Sequence, residues 1–259
     1  MVLQYDPKQQ CLPSSAELPD SDDTPVDNEL QNLVPNLLAS TLALAWAARE
    51  DWFFGVDMGI YFAPSQSAIV PDGFLSLGVE RFVDPPQGRL SYVLWEEDNI
   101  VPCLALEVVS KTYGGEYERK RERYIDLGIR YYAVYSPVQH RRRDRDPLEV
   151  YELVNGEYKR LRGEPIWLSE IGLGLGRDSG RYNGWQREWL YWYDESGKRL
   201  LTPEENAEQA QTAAVQAQTA AIQAQTAAVQ AQTAATQSEA KAARLAAKLR
   251  ELGIDPDEI

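Results

Sequence analysis

Apolar and polar residues alternate in three different ways along the chain, which divides it into three parts. Residues 1–27 are rich in Pro, Ser and Asp, a composition typical of a flexible segment. Residues 28–203 carry short apolar runs separated by turn residues, as expected of a globular domain. Residues 204–259 are dominated by Ala, Gln and Thr, with a regular spacing of apolar positions. We therefore predict a flexible lead, one folded domain and a helical tail.

Within the domain, the pattern predicts helices and strands in mixed order. A first helix is predicted at residues 28–50, interrupted at Pro35, with Asn36 as a new N-cap. A charged helix at residues 116–127 ends at Gly128, a favourable residue for a helix end. Strands are predicted at residues 55–62, 68–77, 92–95, 101–109 and 131–135, and a hairpin at residues 148–153 and 158–161.

The tail repeats every seven residues. Thr212, Thr219, Thr226 and Thr233 each stand three residues before Val215, Ile222, Val229 and Thr236. This spacing predicts a coiled-coil-like helix with a thin Thr/Val seam, and no charge between residues 210 and 238 selects a partner. A charged helix is predicted at residues 239–259, with breaks at Gly253 and Pro256. The seam favours a homo-oligomer or a partner helix; the alternative is a lone Ala-rich helix in solvent.

Composition removes several classes of function. The two cysteines, Cys11 and Cys103, offer no disulfide framework, which favours a reducing, cytoplasmic setting. No apolar stretch near the start is long enough to span a bilayer, so we expect no membrane association. The single histidine, His140, lies in a basic loop, which argues against Ser-His-Asp hydrolases and against zinc sites with several histidines. Any catalysis must therefore depend on carboxylates, lysine and hard cations.

The net charge of −14 argues against a non-specific grip on nucleic acid, because contacts to phosphate drive that affinity. Two local patches are nevertheless basic, one at residues 119–123 and one at residues 141–145. Each patch has a simpler interpretation as a solvated helix face or loop. The aromatic run at residues 185–193 is similarly open, either as a surface for base stacking or as the closed edge of a core.

Two acidic residues stand inside apolar, strand-like runs. Glu107 follows Pro102-Cys103-Leu104-Ala105-Leu106, and Asp72 lies between Pro71 and Gly73-Phe74-Leu75. A buried carboxylate needs a cation or a metal, or must stay protonated, because an ionised group loses its hydration on burial. Two such acids in neighbouring strands predict a divalent-metal site. The alternatives are a turn position for Asp72 and a core ion pair for Glu107.

The lysine that would complete such a site is missing from its expected position, and two other lysines could replace it. A lysine two residues after Glu107 would share its face of the strand, but that position is Val109. Lys111 has the same parity further along, and Lys120 lies on the following helix. Glu116 stands four residues before Lys120, so the two could also pair on the helix surface.

Several short motifs, taken in order, resemble the Uma2 family. They are Pro71-Asp72, Leu106-Glu107-Val108-Val109-Ser110, the spacing of Glu116, Lys120 and Tyr124, and the run from Gly128 to Pro137 that includes Tyr131-Tyr132. The resemblance covers about residues 28–195. The family is abundant in cyanobacteria and belongs to the PD-(D/E)XK nuclease-like superfamily.

The resemblance implies a restriction-endonuclease-like core, a mixed sheet flanked by helices that holds Mg²⁺ or Mn²⁺. It implies that Asp72 and Glu107 are metal ligands and that Lys120 is the catalytic lysine, displaced onto the helix. Glu29 corresponds to an accessory acid on the first helix, by helix placement alone; Lys111 and Glu116 are further accessory candidates. Val109 departs from the superfamily pattern, in which a lysine stands at that position.

Two hypotheses of function follow. The first is a divalent-metal-dependent endonuclease that hydrolyses phosphodiester bonds in nucleic acid, with DNA as the expected substrate. The second is a non-catalytic nuclease-fold protein that assembles through its C-terminal helix, which the acidic net charge favours. A carboxylate-based glycosidase would leave Lys120 unexplained.

Overall fold

A computed structural model of the chain describes residues 12–19, 28–83, 88–109, 119–137 and 145–253. The chain forms two compact units, Met1–Pro203 and Glu204–Ile259. The elements of the first unit are α1 (Glu29–Ala45), β1 (Trp52–Val56), β2 (Ile60–Tyr61), β3 (Gly73–Leu77), β4 (Tyr92–Val93), β5 (Leu104–Val108), α2 (Arg119–Leu127), β6 (Tyr131–Tyr135), β7 (Leu148–Val154), β8 (Glu157–Arg160), β9 (Ile166–Leu168), β10 (Leu173–Tyr182) and β11 (Trp185–Tyr193). The helix α3 (Pro203–Glu251) follows.

A six-stranded mixed sheet in the order β1-β3-β5-β6-β7-β8 forms the centre of the first unit. All neighbouring strands run antiparallel except β5 and β6, which are parallel and joined through α2. A crossover helix is the usual way to connect parallel neighbours, and it covers one face of the sheet. The three-stranded sheet β11-β10-β9 and the two-stranded parallel sheet β2-β4 complete the unit.

Alternation along β5 decides what each face of the central sheet contacts. Leu104, Leu106 and Val108 join the core shared with α1 and the three-stranded sheet, whereas Ala105 packs with α2. Glu107 therefore points to the α2 side, because successive side chains of a strand point to opposite faces. Helices and the smaller sheet cover the mixed sheet, which confirms the predicted α/β fold class with its long C-terminal helix.

Helix α1 differs from its prediction at Pro35. Asn28 caps the helix, accepting a hydrogen bond from Leu30 N at 2.9 Å, while its own N–H donates to Gln31 Oε1. The helix then continues through Pro35 instead of restarting at Asn36, and it ends at Ala45. Burial of its apolar face outweighs the hydrogen bond that proline removes. The buried residues of α1 are Val34, Pro35, Leu37, Leu38, Thr41 and Leu42.

The strand predictions were right from β5 to β8 and wrong in the part of the chain that forms β1, β2 and β3. The predicted strand at residues 55–62 is divided into β1 and β2, because Asp57 between them has a left-handed φ of 49°. The strand predicted at residues 68–77 begins only at Gly73. The aromatic run forms β11, in which Trp189, Tyr191 and Trp192 are buried, so it closes the core.

Helix α3 is continuous where the sequence predicted two helices. It runs from Pro203 to Glu251 and has no buried residue. Its heptad residues Val215, Ile222 and Val229 are 56–58% exposed. In the described part of the chain, no helix combines the length and the apolar character needed to cross a membrane.

Candidate active site

The register of the central sheet brings the two predicted acids together. Gly73 of β3 pairs with Leu106 of β5, so one step further along the same register Asp72 stands opposite Glu107. Side chains of directly opposed residues lie on the same face, about 5 Å apart at their Cβ atoms. Asp72 is 8% exposed and Glu107 is 0% exposed. Two carboxylates therefore share one buried position under α2.

Helix α2 supplies the groups that stabilise Glu107. Lys120 Nζ lies 2.6 Å from Glu107 Oε2, and Tyr124 OH donates to Glu107 Oε1 at 2.6 Å. Lys120 and Tyr124 are four residues apart, so they share the face of α2 that meets β5. Burial and the neighbouring Glu107 raise the pKa of the Tyr124 phenol well above its ordinary value, which keeps it a proton donor. Each oxygen of Glu107 thus accepts a hydrogen bond from α2.

Asp72 is held differently. Its Oδ2 accepts a hydrogen bond from Val108 N at 2.5 Å, and its Oδ1 accepts none from the described residues. Burial, and after it the charge of Glu107, raise the pKa of Asp72 to about 8, although the hydrogen bond from Val108 N and the charge of Lys120 act to lower it. Asp72 is accordingly protonated at neutral pH unless a cation binds beside it. A cation bound beside Asp72 would displace this proton, because metal ligands bind in their deprotonated form.

Asp57 was not among the sequence-predicted site residues. Its backbone N–H donates to Asp72 O at 3.2 Å, and the register of β1 on β3 places it opposite Asp72. Its charge contributes to the raised pKa of Asp72. Asp57 is exposed, in contrast to the other two acids. The sequence shows only that Asp57 directly follows an apolar strand. It does not show that this strand pairs with the one that carries Asp72.

The three accessory residues predicted from the sequence are not seen at the acid pair. Glu29 is exposed in the first turn of α1, and in the described structure no hydrogen bond or ion pair joins it to Asp72, Glu107 or Lys120. Lys111 and Glu116 lie outside the described residues. Lys120 is therefore the predicted lysine that the structure brings to the acids, and its side chain is 28% exposed. Tyr124, which belongs to the motif but had no predicted role, contacts Glu107 directly.

The donor set fits a hard divalent cation. Asp72 and Glu107 present carboxylate oxygens, the ligands that Mg²⁺ and Mn²⁺ prefer. Among the described residues, no group of three or more His, Cys, Asp and Glu side chains could hold a metal together. Two carboxylates are nevertheless sufficient for Mg²⁺, which keeps several waters and shares its coordination with substrate phosphates. Asp72 Oδ1, which has no hydrogen-bond partner among the described residues, and the raised pKa of Asp72 are what such a site would show before a cation binds.

Comparison with known proteins gives one family. The model of the Uma2 family, described as "Putative restriction endonuclease", matches residues 23–176. No curated protein matches the chain. Among solved structures, the chain is similar to "a putative nuclease belonging to DUF820" from Anabaena variabilis ATCC 29413, with 12% identity and a TM-score of 0.39 over 56% of this chain and 73% of that chain. Since the family model spans more than half of the 259 residues, the chain belongs to the Uma2 family.

Proposed function

We propose that this Uma2-family chain is a divalent-metal-dependent endonuclease that hydrolyses phosphodiester bonds in DNA. The observation that carries the proposal is the buried Asp72–Glu107 pair with Lys120 Nζ 2.6 Å from Glu107. Phosphodiester hydrolysis requires stabilisation of negative charge on phosphate oxygens and activation of water, and neither requires a histidine. The family's description as a "Putative restriction endonuclease" supports DNA as the substrate.

The proposed roles divide between the strands and α2. Asp72 and Glu107 would hold Mg²⁺ or Mn²⁺. The bound cation would supply Lewis-acid polarisation of the phosphate and lower the pKa of water. Lys120 neutralises Glu107 and, being partly exposed, can also donate to a phosphate oxygen as charge develops there. Tyr124 fixes the orientation of the Glu107 carboxylate, while Glu29, Lys111 and Glu116 keep accessory roles in the proposal.

Cleavage of supercoiled plasmid DNA tests this function. The full chain is incubated with Mg²⁺, with Mn²⁺ or with EDTA, beside Glu107→Ala purified in the same way. Nicking or linearisation that needs the metal and is lost in Glu107→Ala supports the proposal. Equal cleavage by both proteins would identify a contaminant, and no cleavage by the folded wild type would contradict the DNA endonuclease.

A second candidate function rests on α3. We propose that its seam, Val215, Ile222 and Val229 with the intervening threonines, pairs with a second copy of the chain. The threonine hydroxyls donate to carbonyls four residues earlier, as Thr219 does to Val215 O at 2.9 Å, so the methyl groups are left to form the seam. A strict seven-residue period favours a partner with the same period, and an uncharged seam does not repel its copy.

If assembly through α3 is the chain's whole function, the chain is a non-catalytic interaction protein. Sedimentation velocity of the wild type, compared with a triple Val215→Ser, Ile222→Ser, Val229→Ser variant, tests the assembly. We expect the wild type to self-associate and the variant to remain monomeric. A monomeric wild type at the highest concentration would contradict assembly through α3.

A further inference from the structure

Arg121, the residue after Lys120 on α2, is a half-buried cation without a carboxylate partner among the described residues. Its guanidinium lies 5.0 Å from the centre of the Tyr151 ring and 6.0 Å from that of Tyr158. One amino group donates to Tyr158 O at 2.9 Å, and Nε is buried with no hydrogen-bond partner in the described structure. Stacking on aromatic rings holds the cation but leaves most of its donors unused. A half-buried positive charge of this kind favours the binding of an anion beside it.

Two further arginines stand beside the same tyrosine. Arg160 pairs with Tyr151 across β7 and β8, and Arg145 NH1 donates to Glu149 Oε2 at 3.1 Å. Tyr151 OH donates to the same Glu149 oxygen at 2.5 Å. Glu149 is only 1% exposed, whereas the side chains of Arg145 and Arg160 are 42% and 33% exposed. The carboxylate is thus buried beneath the two guanidinium groups that it holds.

Carboxylates offset part of this positive charge. Arg160 also pairs with Asp146, which is exposed, and Glu149 accepts from Asp146 N at 3.3 Å. Arg145 and Arg160 are therefore largely neutralised in place, and Arg121 has the strongest remaining attraction for an anion. We define these three residues, Arg121, Arg145 and Arg160, as the arginine cluster.

The arginine cluster lies on the α2 side of the central sheet, as the acid pair does. In register, Glu107 pairs with Val134 of β6, and Val134 pairs with Glu149 of β7. Two strand spacings separate Glu107 from Glu149, about 10 Å. One nucleic-acid strand carries a phosphate for roughly every 3.4 Å of helix axis, so a bound strand would place phosphates at both positions. A small anion would not reach from one to the other.

We propose that the arginine cluster binds backbone phosphates of the nucleic acid beside the scissile position, with Arg121 as the principal contact. This inference rests on the proposed nuclease function and adds the direction of the strand, from the acid pair towards β7 and β8. It also indicates how a chain with a net charge of −14 can contact a polyanion, since Arg121 keeps a positive charge beside the site that no carboxylate among the described residues offsets.

Fluorescence anisotropy with a fluorescein-labelled DNA duplex in EDTA tests the proposal without cleavage. Full-length wild type is compared with Arg121→Gln, Arg121→Lys and a matched control, Arg130→Gln. Arg130 also donates to a backbone carbonyl, that of Leu153, and pairs with Glu152 at the end of β7. Thermal unfolding of each variant shows whether the fold is retained.

We expect Arg121→Gln to weaken binding about tenfold and to reduce the slope of log K against log salt by about one, because one phosphate contact is lost. Arg121→Lys should keep the wild-type slope, since it keeps the charge, and Arg130→Gln should bind as wild type does. A purely structural role for Arg121 would lower thermal stability without changing the salt slope.

Two results would overturn the inference. One is unchanged affinity and slope in folded Arg121→Gln; the other is absence of binding by the wild type. Cleavage that depends on Glu107 would persist in the first case, which separates this failure from failure of the nuclease function. Conversely, binding that depends on Arg121 in a chain that never cleaves would support the arginine cluster and contradict the endonuclease.

Discussion

Glu107 and Glu149 are two buried glutamates on the same side of one sheet, and their surroundings differ in one respect. Both are at most 1% exposed, and each accepts a hydrogen bond from a tyrosine hydroxyl and one from a basic side chain. Opposite Glu107 stands a second buried carboxylate, Asp72, whereas beside Glu149 stands a second arginine, Arg160. The first position thus brings two buried carboxyl groups together, whereas the second places arginines beside a single one.

This comparison shows that burial of an acid does not identify a functional site by itself. An ion pair such as that of Glu149 with Arg145 and Arg160 maintains local structure. The acid with the unusual environment is Asp72, the neighbour of Glu107, because burial and the charge of Glu107 raise its pKa to about 8. A group held in an unfavourable protonation state is a stronger indication of function than a satisfied one.

The largest expected effect on cleavage within α2 comes from the lysine. Replacing Lys120 with Met removes the positive charge near the acid pair and keeps most of the side-chain length. We expect plasmid cleavage to fall on the order of 100-fold to 1000-fold, as for loss of one electrostatic stabiliser in other enzymes. The matched control is Lys159→Met on β8, which is exposed and should cleave as wild type does. Equal loss in both variants would contradict a specific role for Lys120.

Removing a carboxylate should stabilise the chain at Asp72 and destabilise it at Glu149. Asp72→Asn removes a carboxyl whose pKa is about 8 in the folded chain and 3.8 as a free group. Below pH 3.8 Asp72 is protonated in both states and costs nothing. As the pH rises from there to about 8, the unfolded chain loses the proton first, and folding becomes less favourable.

The advantage of Asp72→Asn should therefore grow over this pH window, to at most about 6 kcal/mol at its upper end, since each unit of pKa difference contributes about 1.4 kcal/mol. Glu149→Gln should instead lower the free energy of unfolding by about 1–3 kcal/mol, because it leaves arginines without their buried partner. Urea unfolding in EDTA at several pH values measures both. A destabilised Asp72→Asn at pH 8 would contradict the account of Asp72.

The smallest effects on stability and cleavage should come from the two tyrosines that donate to the buried glutamates. Tyr124→Phe removes the hydroxyl that donates to Glu107 at 2.6 Å, and Tyr151→Phe removes the one that donates to Glu149 at 2.5 Å. Each should cost about 1–2 kcal/mol of stability, as for a hydrogen bond to a charged group. Only Tyr124→Phe should also slow cleavage, by about tenfold, because only Glu107 is placed in the site. Similar cleavage by the two variants would remove Tyr124 from a positioning role.

The sequence was sufficient for the centre of the fold. The apolar run at residues 131–135 coincides with β6, and Asn155-Gly156 joins β7 to β8, because these signals are local. It also singled out Asp72 and Glu107, since an acid inside an apolar run stands out without knowledge of the fold. The change in composition also predicts a boundary after residue 203.

The remainder depended on contacts between distant residues. Hydrophobic periodicity does not give the register that sets Asp72 opposite Glu107 and Asp57 beside them. Strand β10 was missed because seven of its ten residues are glycine, arginine, aspartate or serine, and its pairing with β11 holds it in place. Glu149 lies in an apolar run much like that of Glu107, and the two are distinguished by their contacts, which are arginines for Glu149 and the facing Asp72 for Glu107. Pro35 was misinterpreted because tertiary packing overrode its local tendency to end a helix.

Cleavage by Glu107→Gln and Glu149→Gln, measured side by side, tests the central claim most directly. Both variants lose one buried negative charge from the same side of the sheet, and supercoiled plasmid with Mg²⁺ is the substrate for each. We expect Glu107→Gln to lose activity on the order of 1000-fold and folded Glu149→Gln to remain within about tenfold of wild type. Equal activity in the two variants, or a larger loss in Glu149→Gln, would contradict the assignment of the site to Asp72 and Glu107.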